Sequence, residues 1–251
     1  IQLRQTGNIA TDMRFSTSVT AVGVLNLDDY KKNGISLLKK LSEAGFKTLY
    51  VGIESGAKEQ LGKRYHKSAN KDINIRALEA MRKEGIFCIA GFIMFDPKVS
   101  LQEAKQNIDF CRENGIDGSM VYAPKTLLVM LGTSLPIIYR DQIIGQPNYN
   151  TLSYEYFYDG PDADDIANIL YILKQWEESH TAIYWESKTL KRSGVYEGLG
   201  QNNKEEILNA MVTLEILLMD YLEDLVNSAI GHKVEDEVKK VEKRFSKKTI
   251  G

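Results

Sequence analysis

The chain of 251 residues is long enough for one large domain, or one domain with an appendage, and its 43% hydrophobic content suits a globular protein with a sizeable core. A formal net charge of −2 gives no electrostatic case for nucleic acid or for an anionic membrane surface. No apolar run approaches the ~20 residues that a membrane span needs, and no signal peptide is visible, so a reducing cytoplasm is the default expectation.

In chain order, Asn8 to Val19 reads as a first strand carrying Arg14, and Asp28 to Ala44 as the helix after it, closed by Gly45. Phe46 to Ile53 is a strand. A short helix over Ala57 to Tyr65 and a longer one over Asn70 to Glu84 follow, the second closed by Gly85. Ile86 to Phe95 is a nearly continuous apolar run of the kind found in parallel strands covered on both faces. Asp96-Pro97 breaks it. Ser100 with Glu103 forms a capping-box pattern ahead of a helix over Leu101 to Asn114, and Gly118 to Ala123 is the next strand. Strands and helices alternate, which predicts an α/β fold with parallel strands, about four of them in this stretch.

The alternation stops after Pro124. Lys125 to Gly160 reads as loop, with the aromatic residues Tyr149, Tyr154, Tyr156, Phe157 and Tyr158 and a short strand over Ser153 to Tyr158. From Asp162 the pattern is helical, with Ile166, Ile169, Leu173, Trp176, His180, Ile183, Tyr184 and Leu190 on one face. A second helix over Lys204 to Ile230 aligns Ile207, Met211, Leu214, Leu218, Tyr221, Leu222 and Leu225, giving an antiparallel helical hairpin. A charged tail over Lys233 to Lys248 completes the chain. The expected domains are therefore residues 1–160, α/β, and residues 161–251, helical.

Val51-Gly52-Ile53-Glu54-Ser55-Gly56 is the segment richest in chemistry. A core strand ends there in a carboxylate, a hydroxyl and a glycine, and in parallel α/β folds the chemistry sits at such strand tips. Lys67, thirteen positions on, returns toward the same rim and could meet a ligand carboxylate; a solvated basic loop and a strand-end acid paired within the protein are the plainer alternatives. Asp96, at the end of the most apolar strand, is equally a turn opener. Arg14 is a strand arginine in need of a partner or an edge residue. Two cysteines, Cys88 and Cys111, cannot by themselves make a four-ligand zinc or iron–sulfur site and read as core residues.

Taken together, these segments resemble a known family. The stretch from Leu37 to Phe110, with a helix ending Glu-Ala-Gly, a strand ending Gly-Ile-Glu-Ser and a later Ser-initiated helix, is similar to the C-terminal half of the core of radical S-adenosylmethionine (SAM) enzymes. Gly132-Thr133-Ser134-Leu135 resembles that family's later Gly-Thr-Pro-Leu, and Phe95-Asp96-Pro97 stands where Gly-x-Pro is usual. The variant is similar to the branch that often carries an N-terminal cobalamin-binding domain, and the resemblance covers roughly residues 8 to 140. The family's Cys-x3-Cys-x2-Cys triplet is absent from this sequence, which starts at Ile1.

The resemblance implies the C-terminal half of a radical-SAM partial (β/α) barrel followed by a helical region, in a chain that is inactive alone. It implies S-adenosylmethionine as cofactor, a [4Fe–4S] cluster whose ligands lie outside this chain, and cobalamin on a domain also outside it. Glu54 and Ser55 would bind the methionine or ribose part of SAM and Lys67 its carboxylate. Phe95, Asp96, Val121 and Tyr122 would flank the adenine, and Arg14 matches a family arginine. The implied partners are the N-terminal part of the same protein and a small-molecule or peptide substrate. Open sheet edges invite pairing with a second copy. Two rivals remain: a β/α enzyme that uses Glu54 and Lys67 as acid and base without a cluster, and a non-catalytic helical interaction module.

Overall fold

The computed structural model describes residues 15–67, 70–116, 126–175 and 200–231. They fall into two compact units. The first runs to Ile93 and takes in Asp109 onward at the end of one helix; the second holds Met94 to Ile108 and the described residues from 126 on.

The first unit is built on strands β1 (Phe15–Thr20), β4 (Phe46–Glu54) and β5 (Phe87–Phe92). They form a parallel three-stranded sheet in the order β1-β4-β5. The mixed α/β class expected from the sequence is the class observed. Register sets which residues share a face. Thr20, Gly52 and Gly91 lie side by side across the three strands, and Ser18, Tyr50 and Ile89 make the row before them. Alternation puts Leu49, Val51 and Ile53 on the opposite face, where they are buried with Ala90 and Phe92.

Between β1 and β4 the chain makes α1 (Ala21–Asp29), a two-stranded ribbon of β2 (Lys31–Lys32) and β3 (Ile35–Ser36), and α2 (Leu37–Glu43). The single helix expected over Asp28 to Ala44 is thus corrected. Asn33 and Gly34, both at positive φ (59° and 76°), turn the chain back on itself, as Asn-Gly does in tight hairpins. Helix α3 (Lys71–Lys83) starts where expected, with the Asn70 side chain accepting from the Ile73 N–H at 2.9 Å. It packs on α1 and buries Ala77, Leu78 and Met81. Gly45, Gly85 and Gly115 close their helices at positive φ, as the sequence predicted. β5 ends at Phe92 rather than Phe95, although Phe95 still makes an isolated parallel bridge to Thr126 in the second unit.

In the second unit, α4 (Leu101–Glu113) carries the capping box read from sequence. The Ser100 N–H donates to Glu103 Oε2 at 2.9 Å and the Glu103 N–H to Ser100 Oγ at 3.2 Å. The stretch expected to be mostly loop holds an antiparallel sheet. β6 (Val129–Met130), β7 (Ile143–Asn148) and β8 (Ser153–Tyr156) run in the order β6-β8-β7, with a short helix α5 (Leu135–Ile138) between the first two. The strand expected near Ser153 is β8. Residues 163–175 form helix α6, and Ile166, Ile169 and Leu173 are buried on it as expected, with Ile172 beside them. Helix α7 (Gln201–Ile230) buries Met219, Leu222, Leu225, Val226 and Ala229. Its buried face includes Leu222 and Leu225 of the predicted stripe, but Leu218 and Tyr221 are only partly covered. Lys105 on α4 and Glu223 on α7 pair at 3.0 Å. The expected strand over Gly118 to Ala123, the positions Trp176, His180, Ile183, Tyr184 and Leu190 of the expected helix, and the charged tail lie outside the described residues.

Candidate functional site at the tip of β4

Strand β4 ends in an unusual backbone. The Ser55 N–H donates to the Ile53 carbonyl at 2.9 Å, a three-residue turn centred on Glu54, whose φ is +67°. A non-glycine residue in this left-handed region is uncommon, and turns closed over two residues with positive φ are strained. Such outliers are held by their surroundings. Here the Glu54 carbonyl accepts from the Ile93 N–H at 2.7 Å, and the β4–β5 register shifts between Gly52 and Glu54. From the helix side, the buried Asn74 amide on α3 donates to the Ile53 carbonyl at 2.9 Å.

The turn folds the Glu54 carboxylate back over the open face of the sheet. A β-carbon at Gly52 would stand 2.7 Å from Glu54 Oε1, so only glycine leaves room for it. Lys67 Nζ meets the same oxygen at 2.9 Å. Sequence spacing placed these two on one rim, and the structure brings them together: the partner of the strand-end acid is Lys67. Glu54 is 21% and Lys67 41% exposed, so solvent screens the pair and it contributes only ~0.2–1 kcal/mol to stability. It shapes the site more than it holds the fold.

Lys67 is delivered by a π-helical turn (Gln60–Arg64). The Tyr65 N–H donates to the Gln60 carbonyl at 2.9 Å. His66 then turns the chain at φ +47°, and the Lys67 N–H donates to the Leu61 carbonyl at 3.0 Å. Ser55 joins this turn to the strand tip. Its buried hydroxyl donates to the buried Gln60 Oε1 at 2.6 Å and accepts from the Ala57 N–H at 2.9 Å. Gln60 and Asn74 are positioning residues the sequence reading missed. Each is a polar residue at an otherwise apolar interior position, which was the available signal.

Tyr50 lies on the same face as Glu54, two alternations earlier on β4. Burial, then the nearby Glu54 carboxylate, holds its phenol above the ordinary tyrosine range. A β-carbon at Gly91 would stand 2.5 Å from the Tyr50 hydroxyl, so that ring crosses onto β5 above Gly91.

Phe95 and Asp96 belong to the second unit, and both are fully buried. The Phe95 carbonyl accepts from the Leu127 N–H at 2.8 Å. Asp96 Oδ1 accepts from the Lys98 N–H at 2.9 Å, which makes it a turn former, the plainer of its two expected roles. Arg14, Val121 and Tyr122 lie outside the described residues. Among the described residues no group of three His, Cys, Asp or Glu side chains could hold a metal ion. Among them, too, no helix is long and apolar enough to cross a membrane.

No family model matches the chain. A segment of 68 residues, 27% of the chain, is 43% identical to 4'-phospho-dehydrooxetanocin synthase from Priestia megaterium, of which it covers 9%. Among solved structures, the cobalamin-dependent S-adenosylmethionine radical enzyme OxsB with aqua-cobalamin bound is similar over 84% of the chain, with a TM-score of 0.66 and 20% identity. The same enzyme with aqua-cobalamin and S-adenosylmethionine bound is similar over 82%, with a TM-score of 0.64. The chain spans about a third (34%) of the length of those enzymes. The chain therefore shares the fold of part of that cobalamin-dependent S-adenosylmethionine radical enzyme, and one 68-residue segment of it is similar in sequence to part of the synthase.

Proposed function

We propose that this chain is part of a longer, cobalamin-dependent radical SAM enzyme, and that the tip of β4 is its contribution to the S-adenosylmethionine site. The observation that carries the reading is the Glu54–Lys67 pair, held at 2.9 Å at the end of a parallel strand by a left-handed turn at Glu54. An α-amino acid headgroup has one carboxylate and one ammonium. Lys67 suits the first and Glu54 the second, or Glu54 accepts from ribose hydroxyls. Binding exchanges their mutual contact for contacts to the ligand, so neither charge is left unpaired. Ser55, whose hydroxyl is engaged with Gln60, acts by holding Lys67 in reach. Phe95 and Asp96 are fully buried in the second unit, so they are given no part in this site, and Arg14, Val121 and Tyr122 lie outside the described residues.

The fit to SAM rests on this donor set, a lysine ammonium and a carboxylate both partly open to solvent at one strand tip, with Gly52 leaving room for the carboxylate. When bound in such enzymes, SAM supplies a sulfonium that is cleaved by one-electron reduction. The [4Fe–4S] cluster that delivers the electron does not fit these residues. It needs three thiolates, and the chain has two cysteines, with burial pushing the Cys88 thiol up to about 12. The reaction and its substrate, small molecule or peptide, belong to the longer protein.

Titration calorimetry of the 251-residue chain with SAM tests the reading. Saturable binding is expected without added iron, and Glu54→Gln and Lys67→Met should each weaken it about tenfold or more, as loss of one charged partner does. No binding, or equal binding by both variants, would reject the reading.

A further inference from the structure

Within the second unit, the loop that enters α4, residues 97–101, is gripped by residues 159–162, the connection from β8 to α6. Three contacts of different kinds do this. The Asp159 N–H donates to the Pro97 carbonyl at 2.9 Å. A β-carbon at Gly160 would stand 2.6 Å from the Val99 carbonyl oxygen and 3.0 Å from the Lys98 carbonyl carbon and oxygen. The two backbones touch there, and only glycine lets them. Asp162 Oδ2 accepts from the Leu101 N–H at 2.8 Å, so it caps the first turn of α4 from 61 positions away, while Ser100 and Glu103 cap the same turn locally. A further tie backs the grip. Gln142, buried just ahead of β7, donates from its side-chain amide to Asp159 Oδ2 at 2.7 Å, and its main-chain carbonyl accepts from the Phe157 N–H at 3.0 Å.

Burial divides the two segments. Asp96, Pro97 and Val99 are buried, whereas Asp159 and Pro161 are exposed, so an exposed strap lies on a buried loop. A few hydrogen bonds are a small share of what holds a domain together, and a segment tied by them opens locally while the rest stays folded. We infer that residues 159–162 are a strap closed over the Pro97–Leu101 loop, and that strap and loop open and shut together. Gly160 is the position that lets the strap shut. Loops that follow a strand of a parallel sheet are the ones that carry sites in α/β folds, and this loop follows β5. Whatever moves the β8–α6 connection therefore also frees that loop. It loosens the turn in which Asp96 accepts from the Lys98 N–H through its side chain and from the Val99 N–H through its carbonyl. The strap does not depend on the SAM reading of the Glu54–Lys67 pair.

Native-state hydrogen exchange of the full chain tests this, read amide by amide in the unsubstituted protein, Asp162→Ala and Gly160→Ala. Asp162→Ala removes the carboxylate from the Leu101 N–H alone. If strap and loop open together, the Val99 and Asp159 amides, whose own bonds do not involve Asp162, should also exchange about fivefold faster or more, the size expected for a lost cap. Gly160→Ala should speed the Val99, Leu101 and Asp159 amides at least as much. The Leu131 and Asn114 amides, bonded to Leu152 and Phe110, should keep their rates in Asp162→Ala. Faster exchange at Leu101 only would mean that the ties are independent, and the inference fails. Equal acceleration at Leu131 and Asn114 would mean that the carboxylate supports the whole fold, which overturns it as well. Unchanged rates in a folded Gly160→Ala would show that the close approach holds nothing; if that variant does not fold, Asp162→Ala decides alone.

Discussion

Gly52 separates what stabilises the site from what makes it work. Its missing side chain is the space that the Glu54 carboxylate occupies, with Oε1 2.7 Å from where a β-carbon would be. The obstructing atom is the end of a flexible side chain, so Gly52→Ala need not disturb the sheet. Alanine in a strand even recovers the roughly 0.5–1 kcal/mol that glycine forfeits through backbone entropy. The carboxylate would instead swing away and leave Lys67. We expect Gly52→Ala to keep its melting temperature within a few degrees, yet to bind SAM at least fivefold more weakly. A variant that unfolds, or one that binds normally, would show that the glycine serves the sheet rather than the acid. The sequence displayed the acid and the glycine but not their relation. A glutamate at positive φ has no signature in residue type, because the surrounding hydrogen bonds impose the conformation and not the residue's own preference.

At the scale of elements, the site is a strand tip and a π-helical turn tied by one hydroxyl. Ser55 Oγ gives its proton to Gln60 Oε1 at 2.6 Å and accepts from the Ala57 N–H, both interactions buried. Ser55→Ala removes both, and disrupted buried hydrogen bonds cost ~1–3 kcal/mol. The loss should be local first. The amides of Tyr65 and Lys67, which bond to Gln60 and Leu61 carbonyls, should exchange faster than in the unsubstituted chain, while those in the middle of β4 stay protected. Uniform loss of protection across the first unit would count against a local role. Elements were legible wherever one period dominated: the apolar runs of β4 and β5 and the capped helices α3 and α4 follow from the sequence. They were not legible where two signals competed. Asn33-Gly34 is a hairpin turn sequence inside what otherwise reads as a helix, and the turn won. The β6-β8-β7 sheet has a two-residue strand and a proline at position 147, so its pairing comes from partners distant in the chain and not from local pattern.

For the whole molecule, the resolved titrations of buried groups point one way. In the first unit, burial lifts the Cys88 thiol from 9.0 to about 12. In the second, burial lifts the Tyr156 and Tyr158 phenols above their ordinary 10.0, and the Asp96 carboxylate adds to both. A group with a raised folded pKa holds its proton more tightly in the native chain. Its stabilising effect is complete below the unfolded value and is lost as pH rises toward the folded value, since unfolding then releases the proton. Both units should therefore weaken on the alkaline side, first above about pH 9 through Cys88 and then above about pH 10 through the tyrosines. Urea midpoints measured from pH 8 to 11 should fall steadily. Cys88→Ala should flatten the slope that starts near pH 9, and Tyr158→Phe, which keeps the ring and removes the proton, should flatten the part above pH 10. An alkaline limb that neither substitution changes would mean that other groups set it. At neutral pH the same burial keeps Cys88 a thiol, so a thiol reagent should label it slowly until the chain is unfolded, whatever the state of the Glu54–Lys67 site.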